Sequence, residues 1–384
     1  MTTRRNFIKI IGGGVLLAAG TVGGIVAFPP FLPDAAEAWR NPGAGETDIR
    51  RMALSYALLA PNPHNMQPWL VDLSTPDTAT LSLDTTRLLP ATDPFGRQIT
   101  AGCGAFLELM MLAANAHGAD VGIKLWPQGE PDTYLDARPF ATVTFSKANP
   151  VKDPLFDQIL ARRTNRELYD LARVPAADDL RAIIASGMSG TELSGDFANN
   201  HQSVEALRDI VWRGWTREMH TQAALAESVK VMRIGDRAIA ANRDGLTLSG
   251  PLMNILGATG LLSHKALLDP NSASNAQGAS MWKKMADTAP AFVWIAGPNN
   301  SRVTQIAAGR SYARMNLEAT ALGLAMHPWS MALQEYPEMA DLYAEQQARL
   351  GATKDAPVQM LARIGYARAI PPAPRRGLDA LLKV

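Results

Sequence analysis

Apolar residues recur at helical spacing over "DIRRMALSYALLA" (residues 48–60), "PAADDLRAIIAS" (175–186), "SVEALRDIVWRGWTREMHTQAALAESVKVM" (203–232) and "MADLYAEQQARLGA" (339–352). Each predicts an amphipathic helix. Short β-branched or aromatic runs predict strands at "WLVDL" (69–73), "ATLSLD" (79–84), "FATVTFS" (140–146) and "PAFVWIAG" (290–297). Helices alternate with strands, so the expected class is α+β, with sheets covered by helices.

Two further helical stretches repeat one another. "GAFLELMMLAANAHG" (104–118) and "GRSYARMNLEATALG" (309–323) both run from glycine to glycine, and Leu112, Ala114 and Ala116 match Leu317, Ala319 and Ala321. Their small-residue faces permit close approach, and the closing glycines suit a left-handed cap. A 205-residue offset suggests two similar halves, with a boundary near 149–153, "NPVKD".

Between the first helix and the first strand lies "APNPHNMQPW" (60–69), unusually rich in prolines and amides for a connector. The prolines stiffen it, and Asn62, Asn65 and Gln67 offer both donors and acceptors to a ligand edge. Trp69 reads as a core anchor at the strand start rather than a stacking partner. A second polar stretch, "ARRTNRELYD" (161–170), puts Arg162, Thr164 and Arg166 on one face of an extended segment. That face is either a phosphate clamp or a solvated basic turn.

Composition narrows the chemistry. The chain has 384 residues, 47% apolar, with formal net charge +1 and no basic block, which argues against nucleic acid as a partner. One cysteine, Cys103, excludes an internal disulfide and a multi-cysteine metal site, and reads as a small buried residue. The six histidines show no helical pairing, so no metal is expected. Walker A, His-Glu-x-x-His and Gly-x-Ser-x-Gly motifs are missing, and the GGG near the N-terminus lacks a preceding strand.

"TRRNFIK" (3–9) followed by an apolar, glycine-rich run over 10–28 resembles a twin-arginine export signal. Ala36-Glu37-Ala38 has the small-x-small pattern of a cleavage site, which would make residues 1–38 a signal peptide and Trp39 the mature N-terminus. A membrane anchor is the alternative. The implied location is the periplasm, reached through the twin-arginine machinery, with membrane contact only if the signal stays uncleaved.

"APNPHNMQPW" resembles the "APSSHNxQPW" segment of the FMN-dependent nitroreductase family, and "RRTNRELYD" resembles its Arg-x-Ser-x-Arg/Lys phosphate motif. "GRSYARMNLEATALGLAMHPWS" is similar to its central helix and following loop, and "MLARIGYARAIPPAPRR" to its final strand and basic end. "DPFGRQITAGCG" and "RRTNR" further resemble double-length members, in which one chain imitates a dimer. The resemblance implies a three-layer α/β/α architecture with two similar halves, 39–150 and 151–384, forming an internal pseudo-dimer in a monomeric chain. It also implies one FMN per chain, the turn of the first half meeting the clamp of the second.

On that reading Asn62, Pro63, His64, Asn65 and Gln67 meet the ring, and Pro63 replaces the family's serine. Arg162, Thr164 and Arg166 take the phosphate with Arg375 or Arg376, and Lys284 assists at the ribityl side. The loop 323–330, with Gly323, His327, Pro328 and Trp329, lies along the ring. His327 is either a proton donor or a satisfied loop histidine. No catalytic acid or base is assigned, because the flavin carries the electrons. The expected function is reduction of a small electron-poor substrate such as a nitroaromatic or quinone. The alternative is an exported flavin-binding or flavin-sequestering protein with little turnover, with residues 233–257 as a candidate cover.

Overall fold

The computed structural model describes residues 34–383 except Lys354. The stretch read from sequence as an export signal lies outside them up to residue 33. Residues 34–38, assigned from sequence to the same signal, belong to the fold. Arg375 N–H donates to Ala35 O at 3.0 Å, Ala36 and Ala38 pack against the core, and Trp39 is buried with its indole N–H donating to Ala373 O at 2.8 Å. Cleavage after Ala38 would therefore cut a packed turn.

The first half contains α1 (Ile49–Ala57), β1 (Trp69–Asp72), β2 (Thr78–Leu83), α2 (Arg97–Ala116), β3 (Ala119–Leu125) and β4 (Ala141–Lys147). Asp48 caps α1 through the amide of Arg50, and Asp93 satisfies the Gln98 and Ile99 amides in the first turn of α2. The second half contains α3 (Ala177–Met188), β5 (Ser194–Ala198), α4 (His201–His220), α5 (Gln222–Lys230), β6 (Met232–Ile234), α6 (Asp236–Asn242) and β7 (Leu246–Leu248). It continues through α7 (Pro251–Ala258), α8 (His264–Leu268), α9 (Ala273–Asp287), β8 (Ala291–Ala296), α10 (Arg302–Ala321), β9 (Ala325–Pro328), α11 (Ala340–Arg349) and β10 (Val358–Gly365).

Two antiparallel four-stranded sheets result, ordered β1-β2-β4-β3 and β5-β8-β10-β9. Strand order and connectivity coincide: in each half a long helix follows the second strand and precedes the third. α2 and α10 each have 20 residues and start 205 positions apart. They pack together through glycines. A Cβ on Gly104 would overlap the carbonyl oxygen of Ile306, and one on Gly309 would overlap that of Ala101, so the same pair of helix positions meets twice across the contact. Only glycine lets the backbones approach this closely.

What differs is the loop between the first two strands. It is a short hairpin in the first half, whereas in the second it is an excursion, 199–290, that carries α4 to α9. Helices α3 and α10 cover one face of the second sheet, and α4 and α9 cover the other around Phe292 and Trp329. The first sheet packs one face on α1 and α2. The α+β class is as expected, with the third layer confined to the second sheet.

The chain also crosses between halves. The C-terminal tail returns to β1, where Val71 exchanges backbone bonds with Leu381 and Lys383 at 2.8 Å each, while Thr164 bridges Met326 of β9 within the second half. The tail 373–383 thus adds to the first half, contrary to a simple division at residue 150.

Candidate functional site

The amide-rich turn is held from within. Asn62 Oδ1 accepts from Gln67 N–H at 2.8 Å, while Asn62 Nδ2 donates to Ala60 O. Gln67 is fully buried; its Nε2 donates to Asn65 O and Arg243 O, and its Oε1 accepts from Arg376 N–H at 2.8 Å. Asn65 turns toward the tail, donating to Pro374 O at 3.1 Å and accepting from Arg375 Nη1 at 2.7 Å. These three amides, expected at a ligand edge, are consumed as structural staples. They hold a backbone in which His64, Asn65 and Gln67 all have positive φ (46°, 53° and 49°), a region costly for residues with side chains.

Arg375, expected at the phosphate, is saturated in the same way. Besides Asn65 its guanidinium donates to the carbonyls of Leu58, Leu59, Ala60 and Pro374. Arg162 is also buried, donating to Asn316 Oδ1 at 3.0 Å and Leu59 O at 3.2 Å, so it interlocks the halves rather than standing open as a clamp arm. Arg376 bonds Ala380 O. Trp69 is a core residue against Phe106.

What remains in the turn is Pro63, lying against Gly102 of α2, and His64. The imidazole is held neutral, with its pKa pushed down to about 4 by burial and then by the charge of Arg166. Its Nδ1 is buried without a partner. Arg166 has no hydrogen-bond or ion-pair partner among the described residues. Its side chain is exposed, and desolvation lowers its guanidinium. Its charge also reaches His327. Arg162, at the head of the same segment, donates to Leu59 O just before the turn, so the turn of the first half and residues 162–166 of the second lie together here.

Arg162, Arg163 and Arg375 gather on the Trp39 ring at 5.8, 4.7 and 5.4 Å, and no carboxylate of the described residues bonds any of them or Arg166. Burial first, and then the neighbouring cations, push Arg375 down to about 9. The Nε–H groups of Arg162 and Arg163 and the Tyr312 hydroxyl are buried without partners. Three buried donors without an acceptor, set among arginines whose other partners are neutral oxygens, form an environment complementary to an anion.

The stretch expected as a glycine-led loop is largely a strand. Gly323 makes the turn at φ 71°, and β9 then pairs with β10 on one side and with Thr164 on the other. His327 is buried and accepts at Nδ1 from Arg363 Nε–H at 3.1 Å; burial, Arg363 and Arg166 hold its pKa well below the usual range, in keeping with a satisfied histidine. Pro328 is half-buried at the strand end. Trp329 is fully buried, donating to Val211 O at 3.0 Å, and cannot face a ligand. Lys284 is exposed on α9 and bonds none of these residues.

Several members were not anticipated: Trp39, Arg163, Tyr312, Asn316 and Arg363. Arg363 left a readable trace, a charge inside "QMLARIG", a strand buried on both faces. Cys103 is buried, its thiol pushed up by desolvation.

No protein-family model matches the chain. A "Putative NAD(P)H nitroreductase acg" of Mycobacterium tuberculosis is 28% identical over 221 residues, spanning 52% of this chain and 63% of that relative, less than two thirds of its length. A second protein of that organism, also named as an NAD(P)H nitroreductase, is 25% identical over 347 residues, spanning 88% of this chain and 92% of the relative. An uncharacterized protein of the same organism is 26% identical over 349 residues, with 86% and 92% covered. Among solved structures, a nitroreductase with bound FMN from Bacteroides fragilis aligns with 56% of this chain and 89% of its own, at 17% identity and a TM-score of 0.32. The FMN-dependent nitroreductase NfnB of Mycobacterium smegmatis, in complex with NADPH, aligns with 59% and 96%, at 18% identity and a TM-score of 0.37.

Proposed function

We propose that this chain is an FMN-dependent oxidoreductase of the nitroreductase kind, folded as an internal pseudo-dimer with one flavin site. The observation that carries the reading is the meeting of the two halves at the 60–69 turn, where Arg162 of the second half donates to Leu59 O of the first and the buried Nε–H groups of Arg162 and Arg163 lack an acceptor among the described residues. A phosphate monoester supplies the missing acceptor charge. The names of the related proteins point the same way.

Arg166 and Thr164 hold the phosphate, with the Nε–H groups of Arg162 and Arg163 beside them. Pro63 and His64 face the ring. With a pKa of about 4, His64 is neutral at physiological pH and serves as a hydrogen-bond partner rather than an acid. Arg375 acts indirectly, fixing the strained turn from the tail. FMN supplies the electron chemistry, and the protein orients it and restricts the substrate to a small flat molecule.

The second half lacks a counterpart of the 60–69 turn, since only a short link separates α3 from β5, which supports one flavin rather than two. Export by the twin-arginine route rests on "TRRNFIK". The test is anaerobic titration of the purified flavoprotein with NADH and NADPH, followed by a nitroaromatic or a quinone. Bleaching by a nicotinamide and reoxidation by the acceptor support the enzyme. Tight flavin that neither nicotinamide reduces would support the sequestering reading.

A further inference from the structure

We infer that the segment from Gly250 to Leu262, built around α7, is a docking surface for an anionic lipid bilayer. α7 carries Leu252, Met253, Ile255 and Leu256, yet none of its residues is buried. Leu252 and Ile255 are each 41% exposed, and Leu261, just beyond, is 66% exposed. From Leu246 to His264 the sequence contains no Asp, Glu, Lys or Arg. A continuous apolar surface of this kind on a soluble fold marks an interaction site.

Charge selects the occupant. Lys230, Arg237 and Lys265, on α5, α6 and α8, are exposed and unpaired among the described residues. The neighbouring acids are mostly withdrawn: Asp236 is spent on Asn254 and the Gly250 amide, and Asp244 is buried between Arg87 and Arg233. Asp269 is the exposed exception. Apolar side chains rimmed by free cations match the acyl boundary and headgroups of an anionic leaflet.

The path of the chain agrees. Glu37, three residues after the start of the described part, pairs with Arg243 at 3.1 Å, and Arg243 leads directly into β7 and α7. The apolar run at 10–28 precedes this contact in the sequence. The packing of residues 35–39 disfavours cleavage after Ala38 and would keep that run attached.

The test places an environment-sensitive nitrobenzoxadiazole dye on Leu252→Cys in the full chain, where the native Cys103 is buried and unreactive. Vesicles containing phosphatidylglycerol should shift its emission to the blue. Adding Arg237→Glu and Lys265→Glu should weaken vesicle binding, read from the lipid concentration at half-maximal shift, by about 25-fold or more, since each cation near an anionic surface adds roughly a fivefold gain in binding. An unchanged spectrum in chain that sediments with the vesicles would overturn the proposal. So would a shift without vesicles that grows with protein concentration, which indicates a second copy, or one produced by FMN alone, which indicates a cover over the cleft.

Discussion

Arg166→Ala isolates the charge at the centre of the proposed site. The side chain has no protein partner, so its removal breaks no native bond and stability should change by no more than about 0.5 kcal/mol. The lost phosphate contact is charge-assisted and worth roughly 1.5–3 kcal/mol, so the Kd for FMN should rise about 10- to 150-fold. Riboflavin, which lacks the phosphate, should bind as before. The substitution also removes the second of the two causes that depress His64, so that imidazole should titrate above its present value of about 4. Quenching of flavin fluorescence measures both affinities, and the His64 ring-proton shift followed by NMR reads the titration. An unchanged Kd for FMN, or equal losses for FMN and riboflavin, would refute the assignment of Arg166 to phosphate.

Gly309→Ala should cost about 3 kcal/mol or more in urea denaturation, because the new methyl overlaps Ala101 O where α2 and α10 meet. Gly278→Ala, at an open position in α9, should instead gain roughly 0.5–1 kcal/mol; equal effects would discredit the close-packed axis. Asn65→Ala should lower stability by about 1–3 kcal/mol through loss of its bonds to Pro374 and Arg375, while the flavin reduction potential stays put; a shifted potential with unchanged stability would return Asn65 to the ring. Glu218 is pushed up to about 7, chiefly by burial, so the folded carboxyl binds more protons than the unfolded one between about pH 4.5 and 7, and its contribution to stability falls as pH rises through that window. Glu218→Gln should therefore gain on the wild type from pH 5 to 8, by at most ~3 kcal/mol in denaturation midpoints; a flat difference would rule out the raised value.

The helices with one solvated face, α1, α3, α4 and α11, were legible from periodicity, as were the apolar cores of β1, β2, β4 and β8. β9 was not. "AMHP" has little strand propensity and is extended because β10 and Thr164 pair with both its edges, a tertiary cause. The site divides in the same manner. His64 and Arg166 were legible as parts of two motifs. The diversion of Asn65 to Arg375, 310 residues away, depends on where the tail returns, and no local pattern encodes it. Composition showed that the turn was rich in amides, but whether they serve a ligand or the backbone was decided by three left-handed residues that need holding.

The most direct test of one site built across two halves is flavin stoichiometry. Chain expressed in the cytoplasm, purified and denatured should release one equivalent of FMN, identified by chromatography against FMN and riboflavin standards. Two equivalents would mean that the second half builds its own site without a turn. None, with the apoprotein folded and unable to take up added FMN, would contradict the reading of the arginine cluster as a phosphate site.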